Sequence, residues 1–165
     1  MRRIITNLLG TSLLILAVCT ALTSCEKTPS AKIGGSITIG DRSWNIGDAI
    51  ASPGSDICYI DLWSEGVKNT GSGCIVEFEF QSYSPTEEQG QNIPEGSFTI
   101  GDEVYAVFTT GESFDDTGTH YYPSEGILTI SGSRSGSYNI EFYGVTSSGI
   151  KLIASYKGKM DILPQ

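Results

Sequence analysis

Histidine is almost missing from this chain of 165 residues, and His120 is the only one. A His-based metal centre or a Ser-His-Asp relay therefore has a single imidazole to draw on. The nucleophile motif G-x-S-x-G does not occur, and the Gly-Ser-Gly at 71–73 lacks the rest of a dinucleotide fingerprint or phosphate loop. EF-hand spacing is absent as well. Basic residues are also scarce, ten Lys and Arg against nineteen Asp and Glu. That balance argues against nucleic acid, because phosphate-backbone binding depends on clustered Lys and Arg. Beyond the N-terminal segment no stretch sustains a 3.6-residue period, so helices are not expected.

What is present begins with Met1-Arg2-Arg3, two positive charges ahead of LLGTSLLILAVCTAL. An apolar stretch of about fifteen residues in that position reads as an export signal. Thr6, Asn7, Gly10, Thr11 and Ser12 fit a permanent membrane span less well. The stretch ends in Leu22-Thr23-Ser24-Cys25, which resembles the lipobox of bacterial lipoproteins: a Leu, two small residues and a lipidated Cys. Cys19 fits poorly, with bulky Val18 where a small residue is needed. The resemblance implies cleavage before Cys25 and triacylation of that residue, palmitate among the fatty acids such proteins carry. Two or more acyl chains hold a protein on a membrane, at about 0.8 kcal/mol per buried CH₂. Glu26 stands where some lipoproteins carry an inner-membrane retention Asp, so the expected location is the outer membrane, on either its periplasmic or its cell-surface face. The expected organisation is a signal over 1–24, a lipidated tether over 25–35 and a domain over 36–165.

Cleavage leaves 141 residues, one domain's worth. Loss of Arg2 and Arg3 leaves eight Lys and Arg, for a net charge of 8 − 19 = −11. Nineteen of the twenty glycines lie in this part, about 13% against a typical ~7%. Together with repeated SG, TG and EG dipeptides, they predict many tight turns. Cys58 and Cys74 remain after export and enter an oxidising compartment. They are either a disulfide or two unpaired buried thiols in neighbouring strands. If their strands pair about Gly66 the two residues fall opposite one another, and a bond would close a loop of about fifteen residues, adding ~3 kcal/mol.

Period-two patterning runs through the rest. SITI-GD-RSWNI predicts a hairpin that sets Ile37 opposite Trp44. ICYIDLW places Cys58, Ile60 and Leu62 on one face, and CIVEFEFQSY places Cys74, Val76, Phe78 and Phe80 inward with Glu77 and Glu79 outward. Residues 84–96 read as a polar loop ending in a Pro94-Glu95-Gly96 turn. SFTI and EVYAVFTT follow, then GILTISG and SYNIEFYGV with Leu128 and Ile130 facing Tyr138, Ile140 and Phe142, then IKLIASYKGKM. The expectation is an all-β domain of about nine strands, an antiparallel meander closed as a sandwich or flattened barrel.

EGSFTI, GILTISGSRSGSYNIEFYGVTSSG and SYKGKM together resemble the PEGxYT … SGxVTV … YxIxFxLTDxxG … YxGxL pattern of small Bacteroidota-type outer-membrane lipoproteins of unassigned function. The resemblance covers roughly 36–160, with Ser-Ser-Gly replacing the usual Asp-containing turn. It implies an all-β domain in the periplasm or at the cell surface, and no catalytic residues or cofactors.

Candidate sites are few. Segment 111–126 is the longest without a strand pattern, and such loops are often functional. Glu112, Asp115, Asp116, His120, Tyr121 and Tyr122 are its candidate ligand-binding residues, because aromatic rings stack on sugars while carboxylates accept their hydroxyl hydrogens. The alternative is a mobile polar loop with Tyr121 or Tyr122 packing at its base. Trp44 and Trp63 read as core or sandwich-edge residues, and Glu77 and Glu79 as solvated surface. The expected function is a non-enzymatic, lipid-anchored envelope domain that binds a glycan or an envelope protein. The alternatives are a calycin-like carrier of a small apolar ligand and a glycan-acting enzyme.

Overall fold

A computed structural model describes residues 34–81, 93–111, 118–132 and 136–163. The signal, Cys25 and most of the tether lie outside the described residues. The domain begins slightly earlier than its composition suggests: Gly34 and Gly35, expected in the tether, open the first strand.

Strand β1 (Gly34–Ile39) and β2 (Arg42–Pro53) form the predicted hairpin. Gly40 takes a left-handed φ of 58° at the turn, and Ile37 pairs with Trp44. β2 runs on past a bulge at Ile46/Asp48 and pairs with β3 (Ile57–Ser64). β3 pairs in turn with β4 (Gly73–Gln81), and β4 with β6 (Val104–Gly111). The remaining strands are β5 (Gly96–Thr99), β7 (Thr119–Tyr121), β8 (Pro123–Ser131), β9 (Tyr138–Thr146), β10 (Lys151–Gly158) and β11 (Asp161–Ile162).

The fold is all-β, as expected, but it is not a simple meander. The order across the sheet is β5-β8-β9-β10-β1-β2-β3-β4-β6-β7, with β11 lying parallel to β2. The first strand pairs with β10 as well as β2, which joins the N- and C-terminal halves and removes two sheet edges at once. β5 crosses over to pair with β8 rather than with its chain neighbours.

The sheet curls until its two halves face each other. Cys58, Ile60, Leu62, Cys74, Val76 and Phe78 are fully buried, so the period-two reading placed the right residues inward. From the other half come Leu128 and Ile130, paired with Phe142 and Ile140. The Phe142 ring lies 5.5 Å from Phe78 and 5.4 Å from Phe108, so β9 packs across the interior from β4 and β6. Each such side chain contributes about 1.5–3 kcal/mol by leaving water. Phe142 also lies over Gly126 and Gly144, which pair directly across β8 and β9. These glycines sit inside strands, not in the turns that their composition suggested.

The β3–β4 connection corrects the cysteine pairing. Trp63 pairs with Ile75, so the two strands are centred on residue 69 and not on Gly66. One helical turn, α1 (Val67–Thr70), occupies the connection, with left-handed Gly66 and Gly71 at its ends. Cys58 therefore faces Phe80, while the Cys74 N–H donates to Ser64 Oγ at 2.9 Å. Six residues of strand separate the two positions, roughly 20 Å. No disulfide joins them, and both thiols are free and buried. Burial pushes each thiol up to about 12, and the nearby Arg42 only partly offsets this at Cys74. Such thiols are inert.

Candidate functional site

Strand alternation separates the residues that the 111–126 segment was expected to bring together. Glu112, Asp115 and Asp116 lie outside the described residues. The segment is also not all loop, because β7 and the start of β8 fall within it. Tyr121 pairs with Phe108 and packs, partly buried, against the core. His120 points to the other side, its Nδ1 3.0 Å from Thr109 Oγ1. Tyr122 is 64% exposed, its ring centroid 6.3 Å from that of His120.

Two of the predicted residues thus join an outer sheet face that the sequence reading took for plain solvated surface. Across this face Tyr59 pairs with Glu79 and Glu79 with Tyr105; one row on, Asp61 pairs with Glu77 and Glu77 with Val107. Glu77, Glu79, Gln81, Tyr105, Val107 and Tyr122 line a groove of about 270 Å³. Gln81 Nε2 donates to Glu79 Oε1 at 3.0 Å, which fixes one carboxylate edge. Tyr105, 47% exposed, and Tyr122 present rings beside those carboxylates.

The carboxylates are close enough to perturb one another. Asp61 is raised from 3.8 to about 6, first by burial and then by the charge of Glu77. Its Oδ1 is buried with no hydrogen-bond partner among the described residues. Burial and then Glu79 raise Glu77. Glu79, followed by burial and Glu77, raises the Tyr59 hydroxyl.

A raised carboxyl makes stability depend on pH. Between about pH 4 and about 6 folded Asp61 holds a proton that the unfolded chain has released, so stability falls as pH rises through that window. Asp61→Asn should therefore stabilise the domain at pH 7 by about 1–2 kcal/mol, a figure already reduced for solvent screening. The gain should disappear near pH 4. Urea titrations at the two pH values check this, and an equal gain at both would contradict the shift.

A second feature lies at one end of the curled sheet. Arg42 and Trp44 sit on the same side of β2 as buried Ile46, and the guanidinium carbon is 4.9 Å from the centre of the Trp44 ring. With Ser72, Thr110 and Thr119 they line a cleft of about 360 Å³, and the paired glycines Gly73 and Gly111 supply bare backbone to its wall. Trp44, expected at the core or a sandwich edge, is partly buried against the core, and Arg42 is not among the residues singled out from the sequence. The usable signal was the Gly40-Asp41 turn, since a hairpin there places both side chains at the inner end of β2.

A third groove, about 430 Å³, runs beside exposed Ile127 and Tyr143 and is mostly apolar. Among the described residues no three His, Cys, Asp or Glu side chains are grouped to hold a metal ion. Comparison of the chain with protein-family models, curated proteins and solved structures found no match.

Proposed function

We propose that this protein is a lipid-anchored envelope domain that binds glycans on the outer face of β4, β6 and β7. The observation that carries the reading is the pair of exposed tyrosines, Tyr105 and Tyr122, framing a groove whose polar groups are Glu77, Glu79 and Gln81. Aromatic rings stack on the apolar faces of sugars, and carboxylates and amides take up the hydroxyl groups around the ring edge. An open, shallow groove suits an extended chain that enters from the side.

Holding is better supported than cleaving. Glu77 and Glu79 project from the same face of one strand, whereas glycoside hydrolysis uses two carboxyl groups that flank the scissile bond. Asp61, the one strongly perturbed acid, does not line the groove. The carrier reading draws less support from the interior, where Phe78, Phe108 and Phe142 fill the space between the sheet halves.

A glycan array probed with the mature chain tests the reading, followed by calorimetry of the strongest hits. Tyr105→Ala and Tyr122→Ala should each weaken binding about tenfold, equivalent to about 1.4 kcal/mol. Both side chains are exposed, so the melting temperature should move little. A silent array, or hits that both variants bind unchanged, would remove the proposal.

A further inference from the structure

We propose that the cleft beside Arg42 and Trp44, at one end of the curled sheet, binds a small hydroxylated carboxylate, a sugar acid, separately from the glycan face. Arg42 takes the carboxylate, and Ser72, Thr110 and Thr119 take the hydroxyl groups.

The chain carries a net −9, yet Arg42 makes no ion pair among the described residues. Lys68, by contrast, pairs with Asp48 at 2.8 Å. Among the described residues no carboxylate lines the cleft, although acids outnumber bases nearly two to one in the chain. With respect to those residues the charge of Arg42 is available for a ligand.

Geometry narrows the ligand class. The Trp44 ring lies against the guanidinium, 4.9 Å from its carbon, and a cation held over a ring in this way keeps its in-plane N–H fork for hydrogen bonding. That fork matches a carboxylate bidentately, and stacking limits the conformations that binding must freeze. Trp44 is thus a positioning residue for Arg42. The hydroxyls of Ser72, Thr110 and Thr119 both donate and accept, as a sugar's own hydroxyls require, and they would suit a fatty acid's alkyl chain poorly. The space, about 360 Å³, lies near the lower end of small-molecule sites. It is large enough for one sugar unit.

The test is calorimetry of the mature chain with sodium glucuronate, using glucose and sodium acetate as comparison ligands. Glucuronate should bind, and both comparison ligands should bind at least about tenfold more weakly, since each lacks half of the recognition. Arg42→Gln should weaken glucuronate at least about tenfold. Arg42→Lys should recover only part of that loss, because it restores the charge without the fork. Melting curves confirm that each variant is folded, and quenching of tryptophan fluorescence by glucuronate should be lost in Trp44→Phe. The doubly substituted Tyr105→Ala/Tyr122→Ala chain should keep its glucuronate affinity, which separates this site from the glycan face. The proposal is overturned if wild-type protein fails to bind glucuronate, if acetate binds equally well, if Arg42→Gln changes nothing, or if the tyrosine double variant abolishes binding.

Discussion

Replacing Gly144 with alanine is expected to destabilise the domain by about 3 kcal/mol or more. Gly144 pairs with Gly126 in the middle of the β8–β9 ladder, and the Phe142 ring lies over both. A Cβ on Gly144 would stand 2.6 Å from Phe142 Cζ and 2.7 Å from the Glu125 carbonyl oxygen. The carbonyl belongs to the paired strand and cannot give way without opening the ladder. The ring cannot give way without leaving Phe78 and Phe108. Either response removes packing from the centre of the core, and the melting temperature should fall by about 10 °C. Gly149→Ala is the control. Gly149 is left-handed at φ 84°, but its Cβ would meet open space, so only backbone strain of about 1–2 kcal/mol is added. Phe142→Leu should rescue part of the Gly144→Ala loss, because a shorter side chain clears the new methyl. Equal melting temperatures for Gly144→Ala and wild type would show that the ring does not rest on the glycine pair.

Cys25→Ser should leave an unprocessed or soluble precursor that carries no acyl chain. The expectation rests on Leu22-Thr23-Ser24-Cys25, where the thiol is the one group that can receive the first acyl chain. Each buried CH₂ contributes about 0.8 kcal/mol, so the loss of all chains changes partitioning by many orders of magnitude. Serine keeps the size and polarity of the site and removes only the nucleophilic sulfur. Detergent-phase separation and fatty-acid labelling read the result: the wild type should enter the detergent phase carrying label, and the variant should carry no label, either as a soluble chain or as a precursor that keeps its apolar signal. Label retained by Cys25→Ser would place the anchor elsewhere. The folded domain should be indifferent to the change, because its first strand starts at Gly34 and eight residues of chain separate it from Cys25.

The sequence by itself determined the fold class and which face of nearly every strand turns inward. Period-two alternation is a local consequence of the pleat, so ICYIDLW and CIVEFEF could be read without knowing their partners. The β1–β2 register was legible for the same reason, since two turn residues at Gly40-Asp41 leave one hairpin available. Register across a longer connection was not legible. A single helical turn after Gly66 shifted β3 against β4 and carried Cys58 and Cys74 to opposite ends of the pair. Strand order was equally hidden, because the pairing of β1 with β10 depends on the whole curl of the sheet.

The candidate sites divide along the same line. His120, Tyr121 and Tyr122 were legible as a chemically rich segment, but alternation sent Tyr121 into the core and left the other two outside. Tyr105 is unremarkable within EVYAVFTT and joins Tyr122 only because β4, β6 and β7 lie side by side. Arg42 shares a cleft with Thr110 and Thr119 only because the start of β2 and the end of β6 come to the same end of the curled sheet. Patterning along a chain records which residues leave water. Which of them then meet is decided by the curl and closure of the sheet, where contacts distant in sequence are made.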